Sequence, residues 1–454
     1  MSSRSLLVRN IHTLVTMDAD RRELRHAAMR IRGPAIEWIG TSDDASSMQA
    51  DAVLDLKDRH VVLPGLINTH HHFYQLLTRA IPGAQSAELF SWLTRLYPLW
   101  ARMDPHCIRV SAQLAAAQLQ HSGCTTSSDH LYLFPNGSTL DDEIGAVQEM
   151  GLRFHAARGS MSVGESLGGL PPDSLVQDEE VILEDSQRLI ERYHDNSRHS
   201  MLRMVLAPCS PFSVSPRLMR LSAQLARQYP GVRLHTHLAE SATDVRFSRE
   251  RFGMSPREYA DSVEWLGADV WHAHCVKLEA ADLTHFARTG TGVAHCPCSN
   301  MRLGSGIAPV RQMLQQGVPV GLGVDGSASN DVNDLLHEAR VAMLLARVAA
   351  GDPQVMTTRQ ALELATRGGA QVLGRDDIGQ LALGMSADFI ALDIDAPAFA
   401  GAQADPVGAV LLIQPPRVDF SFVNGRCRVD GGRLVGVDLG ALCAQVNAAA
   451  LGLL

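Results

Sequence analysis

Several large classes of protein are excluded by what this chain lacks. No stretch approaches the ~18 uninterrupted apolar residues that a membrane-spanning helix needs. The opening segment, MSSRSLLVRNIHTLVTM, is broken by Arg, Asn and His and has no continuous apolar core of a secretory leader. We therefore expect a cytoplasmic protein with no membrane partner. Positive charge is short as well: 40 Lys and Arg against 49 Asp and Glu leave a formal net charge of -9. That is the wrong sign for a nucleic-acid backbone. A disulfide framework is also missing. Cys107, Cys124, Cys209, Cys275, Cys296, Cys298, Cys427 and Cys443 lie mostly inside apolar segments at no regular spacing, so free thiols are expected. Cys296-Pro-Cys298 has no second close pair to complete a structural zinc site. There is no internal repeat and no low-complexity linker.

What is present is an ordinary globular composition, 46% hydrophobic and 20% charged, over 454 residues. That length suits one large domain plus a smaller one. Between about residues 60 and 330, short apolar runs alternate with helix-like stretches such as SPRLMRLSAQLARQY and APVRQMLQQG. Eight runs end in polar residues: 61–70, 124–130, 152–159, 203–210, 232–240, 270–278, 292–300 and 318–326. Strands alternating with helices make a parallel sheet, and eight such units close into a (β/α)8 barrel with its chemistry at the strand ends. A doubly wound open sheet is the alternative, and it leaves the many strand-end histidines unexplained. The two chain ends read as short alternating strands, with turn signals at Asn424-Gly425 and Gly431-Gly432. The expected fold is thus a distorted α/β (β/α)8 TIM barrel over residues 63–375. Residues 1–62 and 376–454 together form a small β-sandwich domain.

The chemistry-bearing residues sit at four of these strand ends. In His70-His71-His72, residues two apart share a face, so His70 and His72 can hold one metal while His71 points away. Strand 5 ends in His235-Thr236-His237-Leu238-Ala239-Glu240, strand 6 carries His272-Ala273-His274, and strand 8 ends in Val324-Asp325-Gly326. Imidazoles with a carboxylate suit Zn²⁺ first and Fe²⁺ as the alternative, with an open position for water. Such an ion lowers the pKa of its water to roughly 7. His235, His272 and His295, each taken singly, read as satisfied core histidines. A cytidine-deaminase type of zinc site does not fit, because Pro297-Cys298 is followed by Ser299-Asn300-Met301.

LPGLINTHHH, HTHLAE, HAHC, CPCSN and GVDGSASND together resemble the amidohydrolase superfamily. The branch is that of cytosine, guanine and S-adenosylhomocysteine deaminases and triazine hydrolases. The resemblance covers nearly the whole chain. It implies one divalent metal held by His70, His72, His237 and Asp325, with Glu240 and His274 catalytic beside Asp325. Strand 4 reads LAPCSPFS, without the lysine that bridges two metals in binuclear members, so a single ion is expected. Cys209 stands where several deaminase relatives place a His. The run NTHHHFYQLLTRAIPGAQSAELFSWLTRLYPLW, with CTTSSDHLYLFP, ARGSMS and GGLPPDSL, is most similar to enzymes that deaminate 8-oxoguanine.

The implied substrate is a small heterocyclic base, attacked at the ring carbon bearing its exocyclic amine. A triazine-type (hydroxyatrazine) aminohydrolase, or a deaminase of cytosine-like or pterin rings, is the alternative within the fold. A non-catalytic metal scaffold is the alternative outside it, and Glu240 argues against that because a scaffold needs no proton shuttle. Gln75 could read a purine edge, and Trp92 and Tyr97 could stack on the ring or simply pack the core. Arg158, Ser160, Cys209, Asn300 and Asp331 fall at or just past strand ends without an assigned role. The resemblance suggests a homodimer.

Overall fold

A computed structural model describes residues 4–413 and 417–454. The barrel strands are β6 (Leu66–Asn68), β7 (Cys124–Leu131), β8 (Arg153–Ser160), β9 (Leu202–Pro208), β10 (Arg233–Leu238), β11 (Val270–His274), β12 (Gly292–His295) and β13 (Val320–Leu322). They pair in parallel, in sequence order, and β13 closes on β6. Each of the eight runs marked in the sequence contributes one of these strands. Inward-facing residues alternate along them, as a period-two pleat requires.

The first run proves to be two strands in two sheets. β5 (His60–Pro64) belongs to the chain-end sheet and β6 to the barrel, with Gly65 between them. A Cβ at Gly65 would stand 2.1 Å from the Thr125 hydroxyl of β7, so only glycine lets the chain cross there.

The chain ends meet as expected. β1 (Ser5–Val15), β2 (Glu23–Arg32), β3 (Ala35–Thr41), β4 (Ala52–Asp55) and β5 join β14 (Phe389–Asp393), β15 (Phe420–Val423), β16 (Arg426–Asp430) and β17 (Arg433–Leu434). Hydrogen bonding links all nine in one sheet, ordered β17-β16-β15-β14-β5-β1-β2-β3 with β4 on β1. Val8, Ile11, Met29, Val62, Phe389 and Phe422 share one apolar cluster, so both ends contribute to the same core. Asn424-Gly425 and Gly431-Gly432 form the tight turns, all four with positive φ. The tail past β17 ends in a helix, Leu439–Leu453, packed on the barrel helix Pro105–His121. No helix among the described residues is long and apolar enough to cross a membrane.

The helices start where capping residues place them. Ser215 caps Pro216–Ala226 by accepting from the Leu218 N–H at 3.0 Å, with proline at the first helical position. Inside the barrel, Ile67, Ala157, Val205, Trp271 and Ala294 form an apolar layer on which Ala370, Val372 and Leu373 close the base.

Barrel and chain-end sheet are tied by a buried ion pair. Arg153 of β8 gives two 3.0 Å hydrogen bonds to Asp388, next to β14, and both side chains are almost fully buried. Removing one partner leaves an uncompensated buried charge, which costs about 3–5 kcal/mol. Asp388→Asn is expected to lower the urea midpoint accordingly. An Arg153→Met/Asp388→Leu double variant is expected to lose less, since it leaves no charge behind. Equal loss in the two would show that the pair does not act through its charge.

Candidate metal centre

The open end of the barrel gathers imidazoles because one His-x-His follows β6 and another closes β10. His70, His72 and Asp325 are 1%, 3% and 4% exposed, so the site is nearly dry. The Nε2 atoms of His72 and His237 lie 3.1 Å apart. Asp325 Oδ1 is 3.3 Å from His70 Nε2 and 3.5 Å from His72 Nε2. Those are the separations of neighbouring ligands around one ion bound at about 2.0–2.1 Å.

The hydrogen bonds decide which nitrogen carries each proton. His72 Nδ1 donates to the His130 carbonyl at 2.7 Å, and His237 Nδ1 donates to the Cys209 carbonyl at 2.6 Å. His235 Nδ1 donates to the Trp271 carbonyl at 3.1 Å, which leaves its Nε2 as an acceptor. His70 Nδ1 therefore donates to His235 Nε2 at 2.8 Å. Burial pulls the imidazoles below their usual range, His237 to about 3, so they are neutral. Each of His70, His72 and His237 consequently turns a lone pair, not a proton, toward the others. Two buried lone pairs 3.1 Å apart repel unless a cation lies between them. The donor set fits a single divalent ion.

Asp325 completes it. Burial alone would raise its carboxyl, yet the group is held well below the usual carboxylate range. The Gly326 N–H donates to its Oδ1 at 2.7 Å. Asp325 has φ 62°, and His274, Cys275 and Ala239 are also left-handed at 70°, 51° and 52°. Non-glycine residues adopt that region at a cost of about 1–3 kcal/mol each and cluster where function over-determines the backbone. Here the turns aim Asp325, His274 and Glu240 into one space.

Glu240 and His274 face each other across that space. His274 Nε2 is 3.5 Å from Glu240 Oε2 and 3.9 Å from Asp325 Oδ2. Asn300 orients the ring by accepting from His274 Nδ1 at 2.9 Å. Burial pushes the Glu240 carboxyl up to about 7, with the charges of Asp325 and Asp244 adding to the rise. Asp244 accepts the Glu240 backbone N–H at 2.9 Å.

The surrounding pocket is lined by Gln75, Leu89, Trp92, Leu93, Tyr132, Cys209, Phe212, Leu303 and Ser329, together with the polar residues above. Gln75 and Trp92 thus both line this pocket. The Gln75 Oε1 is buried without a hydrogen-bond partner, and the Trp92 indole N–H donates to the Ala328 carbonyl at 3.3 Å. Tyr97 lies outside this lining. It sits one turn further along Leu89–Trp100 and packs against Trp100 with ring centroids 5.7 Å apart, the core alternative named above. The Cys209 thiol is buried and pushed up to about 12, so it stays a neutral wall. Arg158 is taken by Asp185 and Gln177, Asp331 holds the Ala80 N–H at the surface, and the Ser160 hydroxyl is buried without a partner.

Two histidines enter unexpectedly. His235 is no idle core residue, since it fixes the His70 tautomer. Its spacing of two from His237, the same as in His70/His72, was the available signal. His130, at the end of β7, brings a donor atom within 4.8 Å of those of His70, His72 and His237. Its Nε2 donates to the Ala207 carbonyl at 2.6 Å, and its ring lies against His237 with centroids 5.0 Å apart. His272 is core, as expected, bonded to the Trp265 carbonyl at 3.0 Å.

The Amidohydrolase family model matches residues 61–432, and the chain belongs to that family. It is 49% identical over 427 residues to 8-oxoguanine deaminase of Pseudomonas aeruginosa, covering 93% of each chain. It is 34% identical to isoxanthopterin deaminase of an unknown prokaryotic organism, over 98% of this chain and 96% of the other. The crystal structure of atrazine chlorohydrolase TrzN from Arthrobacter aurescens TC1, complexed with zinc, superposes with a TM-score of 0.93. It is 34% identical, and the match covers 98% of this chain and 100% of that one.

Partners that orient a metal-bound histidine typically contribute 10–100-fold in metal affinity. His235→Phe is therefore expected to weaken metal binding by about that factor in a chelator-competition titration, with the circular-dichroism spectrum unchanged. Unchanged affinity would remove His235 from the site.

Proposed function

We propose that this protein is a metal-dependent hydrolytic deaminase of an oxidised purine base, converting 8-oxoguanine and water to uric acid and ammonia. The observation that carries the reaction type is the Glu240 carboxyl, held near neutrality and 3.5 Å from His274 beside a three-histidine, one-aspartate donor set. The ring assignment is supported by the 49% identity to an 8-oxoguanine deaminase across 93% of both chains.

His70, His72, His237 and Asp325 would hold the ion, Zn²⁺ first and Fe²⁺ as the alternative; zinc in the TrzN structure favours the former. Once bound, such an ion supplies Lewis acidity and makes water available as a nucleophile near neutral pH. Water adds at C2, the carbon that bears the exocyclic amine. Glu240 gives its proton to the adjacent ring nitrogen, so developing charge is taken up by the ring. Asp325 accepts one proton from the attacking water and gives it to the departing amine, and the second water proton returns to Glu240 as the C2 carbonyl forms. His274, its Nδ1 proton committed to Asn300, offers Nε2 to orient the attacking oxygen. Gln75 reads the purine edge through its free amide oxygen, and Trp92 walls the ring.

A second reading keeps the chemistry and changes the ring. The TrzN superposition favours a triazine substrate and the isoxanthopterin deaminase relative a pterin. We infer a cytoplasmic setting, where free bases occur, and a homodimer.

Three outcomes test this. Across a panel of purines, pyrimidines, pterins and triazines, the metal-analysed protein should release ammonia fastest from 8-oxoguanine and yield uric acid. A faster pterin or triazine would replace the assignment. Glu240→Gln should keep its metal and lose about 10²–10⁴-fold in kcat, the usual worth of a positioned acid; near-normal turnover would refute the role. The acid form of Glu240 exists below about 7 and is lost as pH rises through that value. Hence kcat/KM should fall on the alkaline side in the wild type, while the residual activity of Glu240→Gln shows no such limb.

A further inference from the structure

The closed end of the barrel carries a second concentration of buried polar side chains, which the deaminase chemistry does not use. Parallel pairing sets His155 of β8 beside Arg203 of β9. Strand alternation turns Arg153, His155, Arg203 and, from β10, Arg233 inward, beneath the apolar layer of Ala157 and Val205. Arg375 joins them from the segment that closes the base.

The four guanidinium groups meet around two short stretches of backbone. The Ser200 carbonyl accepts from Arg153 and, at 3.2 Å, from Arg375, while the Ser200 hydroxyl accepts from Arg203 at 3.3 Å. Arg203 also reaches the Gly374 carbonyl at 3.4 Å, and Arg233 the Val372 carbonyl at 3.0 Å.

Among the described residues only two carboxylates, those of Asp388 and Asp377, hydrogen-bond to these four groups. Asp388 is occupied by Arg153 and by the Asn424 N–H. Asp377 takes Arg375 through two hydrogen bonds and also accepts the His199 N–H at 2.7 Å. Among the described residues, the hydrogen bonds of Arg203 and Arg233 go to carbonyls and one hydroxyl only. Burial draws both groups down to about 10, still charged at neutral pH. His155 is 1% exposed and Arg375 5%, yet both ring nitrogens of His155 and the Nη1 of Arg375 have no partner, nor has Arg233 Nε. Buried polar groups without partners, beside cations that no carboxylate hydrogen-bonds, are costly.

We propose that the closed end of the barrel binds a small inorganic anion of chloride size between His155, Arg203 and Arg375. The donors come singly from separate segments around a packed layer. A spherical anion has no directional preference and can accept from donors so arranged. The anion neutralises the base and ties the barrel to the segment around residues 372–375.

The test follows thermal unfolding of the metal-loaded protein in sodium gluconate, with chloride substituted at constant ionic strength. Crystals grown in bromide are measured for anomalous scattering alongside it. A ligand that binds only the folded state raises stability by mass action, so Tm should climb saturably, by about 2 °C or more. Arg203→Met should lose that response, and a bromide peak should lie within hydrogen-bonding distance of His155 and Arg203. A chloride-independent Tm in the wild type, or a map showing only water there, overturns the proposal. Where Arg203→Met does not fold, the bromide map of the wild type decides alone.

Discussion

Three imidazole nitrogens and one carboxylate oxygen converge in a nearly dry pocket, and each imidazole presents its lone pair there rather than its proton. That arrangement is the constraint on which the rest of the site depends. It is set by carbonyls of neighbouring strands: those of His130 and Cys209 directly, and that of Trp271 through His235. A neutral imidazole has one donor and one acceptor, so committing Nδ1 as donor dictates what Nε2 can do. The barrel is well suited to this, because parallel strands ending side by side bring one strand's carbonyl to the next strand's side chain.

From that constraint follow the roles of the outer residues. The carboxylate of Asp325 stays ionised against burial and accepts the Gly326 N–H, whereas burial holds the Glu240 carboxyl near neutrality. Two carboxyls in one pocket are thereby driven to different protonation states, the usual way of assigning a base and an acid. Left-handed backbone at Ala239, His274 and Asp325 supplies the aim. In the proposed chemistry the imidazole ligands rest on strand-end carbonyls, while Glu240, His274 and Asp325 are aimed by turns.

Much of this was legible in the residues. The eight strand-end runs and the His-x-His spacing of His70 and His72 follow from simple periodicity, and the glycine-containing turns at 424–425 and 431–432 do too. What escaped depended on three dimensions. His235 and His237 have the same spacing as His70 and His72, but which of them faces the ion and which supports a neighbour depends on the register of β10 with β11. His130 lies far away in sequence and enters only because β7 ends beside β6. The single run 61–70 hid a change of sheet at Gly65, since two consecutive buried strands share one apolar pattern. Tyr97 belonged to a helix whose first turn alone reaches the pocket, and helical spacing cannot say where a pocket stops.

The central claim is a single ion held by three imidazole nitrogens and one carboxylate oxygen. Metal analysis combined with X-ray absorption spectroscopy on the metal-loaded protein tests it most directly. The account predicts one ion per chain and a first shell of nitrogen and oxygen scatterers at about 2.0–2.2 Å. Two ions per chain, or a sulfur scatterer near 2.3 Å of the kind Cys209 would give, would contradict it.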